Sequence, residues 1–197
     1  MHVAICGNDL HARCRDADSR NTHPNSHRTL ELAGRIHRCI VFLTTNTMKV
    51  RFTTQVEPGV VYDPKDFARE IQIYLADPEG WVSRGYEFEY VERSPRIVIH
   101  LSTPEQIRAA GCANMSLSCA EMNGRHIRLN SARWSGSMRN HSKLPLDEYR
   151  QYMVTHEMGH ILGHDHVKCT VPGGPAPVMM QQTLGIGACL PNTRVSP

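Results

Sequence analysis

The sequence predicts an α+β domain preceded by a poorly ordered extension, and three observations carry that expectation. Segments with the period of two that marks a strand are interspersed with segments whose apolar residues recur every three or four positions, as on one face of a helix. Both kinds begin only at Met48. Upstream, "HARCRDADSRNTHPNSHRTLELAGRIHRC" is rich in Arg, His, Asn and Ser and has no sustained apolar period, so it has little to bury. Residues 1–47 therefore read as an extension and 48–197 as the domain. That Met48 opens the patterned part leaves open an upstream extension of the reading frame.

The elements follow in order. "MKVRFTTQVE" sets Val50, Phe52 and Val56 on one side and reads as a strand. "DPKDFAREIQIYLADP" starts with an Asp cap and Pro at the first helical position, then spaces Phe67, Ile71 and Leu75 by four, which predicts an amphipathic helix. "YEFEYVE" alternates and "RIVIHLS" is β-branched, so both read as strands. "TPEQIRAAG" predicts a short helix with Thr103 as cap and Gly111 as stop. "HIRLNSARW" reads as a further strand. "PLDEYRQYMVTHEMGHILG" is the long helix, ending at Gly163. The remainder, rich in Pro and Gly, reads mostly as loop. The result is a mixed sheet with two main helices.

Composition bounds the function. A chain of 197 residues fits one domain of ordinary size. A net charge of +3 with His neutral is too small to argue for a nucleic-acid partner. The longest apolar run, "CIVFL", is far too short for a membrane span, and the first thirty residues lack the pattern of an export signal. The seven cysteines are odd in number, so at least one stays unpaired within the chain. Cys112 and Cys119 flank one short loop, and Cys169 and Cys189 flank a Pro/Gly-rich one. Such local pairs suit disulfides in an oxidising compartment, although free thiols remain open. Cys6, Cys14 and Cys39 have no CxxC spacing and are not read as a metal site.

The segment "THEMGHILGHDH" carries the chemistry. His156 and His160 stand four apart, on one face of the long helix and one turn from each other. Two imidazole nitrogens so placed reach one metal ion, and Glu157 beside them is placed to take a proton from a water. Gly163 lets the chain turn and bring back a third imidazole. His166 is expected there, since its spacing completes H-E-x-x-H-x-x-G-x-x-H, and His164 is the surplus histidine. Asp165 reads as a solvated turn residue, with the alternative that it holds a ligand's second nitrogen. Three neutral imidazoles with an open fourth position suit catalytic Zn2+. The alternative is a histidine-rich helix with solvated rings.

His156 to His166 resembles the zinc signature of the metzincin metallopeptidases. That resemblance implies a zincin-type fold and a methionine-containing tight turn beneath the metal. "PAPVMMQQ" stands where that turn belongs, with Met179 as its methionine and Met180 as the other possibility. "HEMGHILGHDHVKC", "PAPVMMQQTLGIGAC", "GCANMSLSC" and "IRLNSARW" are similar to an uncharacterised, mainly actinobacterial family of metzincin-like proteins, over about Met48 to Asn192. Members of that family are typically exported or anchored, which favours a secreted or cell-surface location and the disulfides.

The resemblance implies a zinc endopeptidase with Glu157 as general base, acting on a protein or peptide substrate; a monomer is expected, although no sequence signal sets the oligomeric state. Some metzincins place a tyrosine just after the Met-turn to support the oxyanion; here Tyr152 is the last tyrosine in the chain. "HIRLN" or "RIVIH" could lie at the sheet edge and pair with an extended substrate, and equally either reads as only a core strand. Two alternatives stand beside this: a non-catalytic zinc- or peptide-binding module, and a zinc hydrolase of non-peptide amides.

Overall fold

Strand β1 (Met48–Val56) buries Val50 and Phe52 and exposes Lys49 and Arg51, the alternation of a strand with one apolar face. These features come from a computed structural model, which describes residues 47–195. The expected extension, with Cys6, Cys14 and Cys39, falls almost wholly outside those residues.

Helix α1 (Pro64–Leu75) starts where the Asp63 side chain accepts the backbone N–H groups of Lys65 and Asp66, with Pro at the first position. It buries Phe67, Ile71, Tyr74 and Leu75. A 3-10 turn, Trp81–Arg84, leads into β2 (Tyr86–Tyr90), followed by β3 (Ile97–Ser102). Helix α2 (Pro104–Ala109) opens with a full capping box between Thr103 and Gln106. The chain leaves it through Gly111, whose φ of +86° suits only glycine comfortably. Then come β4 (Cys119–Ala120), β5 (His126–Asn130), α3 (Ser131–Trp134) and the long helix α4 (Leu146–Ile161).

The five strands form one mixed sheet in the order β2-β1-β3-β5-β4. β1 runs parallel to both β2 and β3, β3 runs parallel to β5, and β4 alone is antiparallel, pairing Cys119 with Arg128. Val50, Phe52, Ile97, Ile99, Leu101, Ile127 and Leu129 make up the apolar face of the sheet. α1 and α4 pack on one another, α1 on β1, and α4 on β4 and β5. Between sheet and helices lies the core, filled by Phe67, Ile71, Trp134, Tyr149 and Tyr152. α2 packs on β3 and β5 through Ile107, which is buried outside that core.

One expectation is corrected, and one pair of alternatives is decided in favour of the core strand. The strand expected over "HIRLNSARW" stops at Asn130, whose side chain accepts the N–H groups of Ala132 and Arg133 and so caps a helical turn. "HIRLN" and "RIVIH" are interior strands; the sheet ends at β2 and β4. The other strands and helices that the sequence predicts fall close to their expected places, and β4 and α3 are additional. Among the described residues no helix is long and apolar enough to cross a membrane.

Candidate metal centre

α4 is buried on nearly every side from Tyr152 to Ile161, so its polar side chains are held in fixed surroundings. His156 and His160 lie one turn apart on it. The helix closes at Gly163, where φ is +91° and the His164 N–H reaches back to the Gly159 carbonyl at 2.9 Å. That reversal returns His166. Its Nε2 sits 3.3 Å from Nε2 of His156 and 3.1 Å from Nε2 of His160. The three residues form a group able to hold one metal ion, their donor atoms all within 4.8 Å of one another.

The other ring nitrogens of the two helical histidines are already committed. Nδ1 of His156 donates to the Val178 carbonyl at 2.8 Å, and Nδ1 of His160 donates to the His164 carbonyl at 2.8 Å. A carbonyl only accepts, so each Nδ1 carries the proton and each Nε2 presents a lone pair to the shared point. Burial pushes the His156 ring down to about 3, with the neighbouring His160 and His166 acting in the same direction, and burial lowers His160 as well. The helical donors are therefore neutral at physiological pH. Glu157 is buried beside them, and burial pushes its carboxyl up to about 8. No hydrogen bond or ion pair from the described residues reaches that carboxylate.

His164 and Asp165 go elsewhere. The His164 ring stacks on Trp81 with centroids 4.5 Å apart, and only its backbone carbonyl serves the cluster. The Asp165 carboxylate accepts the backbone N–H of His166 at 2.6 Å rather than a ring nitrogen.

Beneath the helix the chain turns at Pro177, with the Met180 N–H bonded to the Pro177 carbonyl at 2.9 Å. Met179 is buried there, and its side chain rests on Gly159. A Cβ at Gly159 would fall inside van der Waals contact with Met179 Sδ and 2.7 Å from Trp81 Cζ2. This is why a glycine separates Met158 from His160. Gly159→Ala is expected to destabilise the fold by about 1–3 kcal/mol through overpacking, read as a lower melting temperature. An unchanged melting temperature would show that Met179 yields freely.

Tyr152, which the sequence marks only as the last tyrosine of the chain, also builds the site. Its hydroxyl donates to the Met180 carbonyl at 2.7 Å and accepts the Gln182 N–H at 2.8 Å, tying the helix to the turn. Buried Gln182 and Asn192 clamp the same segment from outside, through Gln182 Nε2 to the Asn192 carbonyl and the Asn192 N–H to Gln182 Oε1. No periodic signal marks these residues; only long-range contact reveals them.

Both expected disulfides are present, Cys112–Cys119 and Cys169–Cys189. They fit an oxidising compartment. The second spans the turn carrying Met179, with a sequence separation of 20. Cys169→Ser with Cys189→Ser is expected to lower stability by about 3 kcal/mol in chemical denaturation. Equal stability with and without the pair would mean that the clamp of Gln182 and Asn192 suffices.

The histidine cluster opens onto a cavity of about 220 Å³. Its lining includes Glu157, residues from the 113–120 segment, and Gln181, Thr183 and Leu184. The first disulfide ties β4, which lines that wall, to Cys112 in the turn that follows α2. In comparison with known proteins, a family model described as "Protein of unknown function (DUF3152)" matches residues 21–190. No curated protein matches the chain.

Proposed function

We propose that this chain, which belongs to the DUF3152 family, is a zinc-dependent metalloendopeptidase of metzincin type. One observation carries the reading: three imidazole Nε2 atoms converge at a cavity that Glu157 also lines, buried and without a partner among the described residues. The donor set fits Zn2+, since the two helical donors are held neutral with their lone pairs aimed inward and, among the described residues, no fourth protein ligand closes the group. His156, His160 and His166 would hold the ion, which supplies Lewis acidity toward a water and an amide carbonyl.

The chain's own groups do the rest. Glu157 takes the proton of the attacking water and returns it to the leaving amine, and its raised pKa brings it close to the working range of such a base. Met179 is the methionine of the Met-turn, supporting the helix between the two histidines. The Tyr152 hydroxyl has its proton committed to Met180, so it positions the wall rather than the oxyanion. β4 ends the sheet and lines the cavity, and an extended peptide would add to it through backbone hydrogen bonds. This role passes to β4 from the interior strands.

The test is a panel of denatured proteins and small amides, run on zinc-loaded, chelated and zinc-restored protein, with metal content measured beside it. Cleavage of peptide bonds that chelator stops and zinc restores is expected. Turnover of small amides alone would move the protein to the non-peptide hydrolases, and bound zinc with no hydrolysis of either would make it a binding module.

A further inference from the structure

The face of the sheet opposite the core carries a second set of imidazoles, which the chemistry above leaves unused. Ile99 and Leu101 of β3 and Ile127 and Leu129 of β5 point into the core, so His100, His126 and Arg128 project from the other face. His100 stands directly opposite Arg128 in the register and diagonally from His126. Glu57, just past the end of β1, reaches the same place.

The hydrogen bonds fix the ring chemistry. His100 Nδ1 lies 2.6 Å from Glu57 Oε1, and His100 Nε2 lies 3.0 Å from His126 Nδ1. An ionised carboxylate only accepts, so Nδ1 of His100 carries the proton and Nε2 turns its lone pair toward His126. Burial holds the His100 ring toward its neutral form. A carboxylate behind a histidine whose other nitrogen faces a second donor is the arrangement that orients metal-binding imidazoles. The 3.0 Å separation also sits beside the 3.1 and 3.3 Å separations in the three-histidine cluster. With bonds of about 2.0–2.1 Å, two nitrogens so spaced subtend roughly a right angle at one ion. That suits adjacent ligand positions of a square or octahedral ion such as Cu2+ or Ni2+.

We propose that His100 and His126, with Glu57 orienting His100, form a second binding site for a divalent transition-metal ion on the outer face of the sheet. His126 is exposed, so water completes the coordination. Arg128 Nη1 lies 3.8 Å from the same Glu57 oxygen, and Gln55 Nε2 lies 3.4 Å from the other. The carboxylate charge is thereby shared, and the site is weaker than the three-histidine cluster. An ion here would tie β3 to β5, and through Glu57 to the end of β1. None of this depends on the peptidase reading.

The test uses the full chain preloaded with one equivalent of zinc, then titrated with Ni2+ as the probe; bound nickel is read at equilibrium by calorimetry, since two imidazoles hold an ion only weakly, and zinc is counted by elemental analysis. His126→Ala removes an exposed ring and is expected to fold as the parent does, with the zinc retained. It should lose one equivalent of nickel, while His164→Ala, which also removes an exposed histidine, should lose none. Glu57→Gln should weaken that equivalent by about 10–100-fold, the usual effect of removing an orienting partner. Nickel binding unchanged in His126→Ala would overturn the site, and unchanged affinity in Glu57→Gln would overturn the orienting role of the carboxylate.

Discussion

Glu157→Gln is expected to leave zinc content and melting temperature unchanged while peptide hydrolysis falls by about 10²–10⁴-fold, the contribution of a positioned acid–base group. The substitution keeps volume and polarity and removes only the ability to take a proton. The position favours a clean result, because the carboxylate makes no hydrogen bond or ion pair among the described residues, so no structural contact is lost with it. Burial without a partner is also a standing energetic burden on an ionised carboxylate, so the neutral amide is expected to be tolerated by the fold. Zinc content, thermal stability and cleavage are to be measured on one preparation. Undiminished cleavage with normal zinc would remove Glu157 from the mechanism.

Loss of the metal is the second large effect. His156→Ala and His160→Ala are each expected to abolish the single tightly held zinc, since two remaining imidazoles hold an ion poorly. His166→Ala should behave in the same way, whereas His164→Ala should keep the metal because its ring is stacked on Trp81. The measurement is zinc per chain after dialysis against a weak chelator. Full retention in both His156→Ala and His160→Ala would end the proposal. Loss in His164→Ala with retention in His166→Ala would reassign the third donor.

The candidate site was legible because its signal is local. Four histidines and a glutamate fall within His156–His166, and helix geometry together with the turn at Gly163 converts that spacing into convergence. The helix boundaries were legible for the same reason: Asp63-Pro64, the Thr103–Gln106 box and Gly111 are all short-range features. What escaped depends on partners distant in the chain. Which strand forms the edge is decided by pairing between β3, β5 and β4, and β4 is only two residues long, too short for any period to show. The same holds for Tyr152, which meets Met180 and Gln182 some thirty positions on. The end of β5 was misread although a cue existed, since Asn followed by Ser-Ala is an ordinary helix start.

The two ends of the sheet differ in a way that bears on self-association. A free strand edge is a template on which another chain can extend the sheet. At β2 that edge carries Glu87 and Glu89 on one face, paired with Lys49 at 3.2 Å and Arg51 at 3.9 Å on β1, so an approaching strand meets charged side chains on that face. At the other end β4 has two residues, and Cys119 is bonded back to Cys112. Two residues offer backbone groups for a short stretch of a substrate held by the site, and too few to hold a full strand by themselves. Among the described residues, the sheet thus has a short edge beside the cavity at one end and a charged edge at the other.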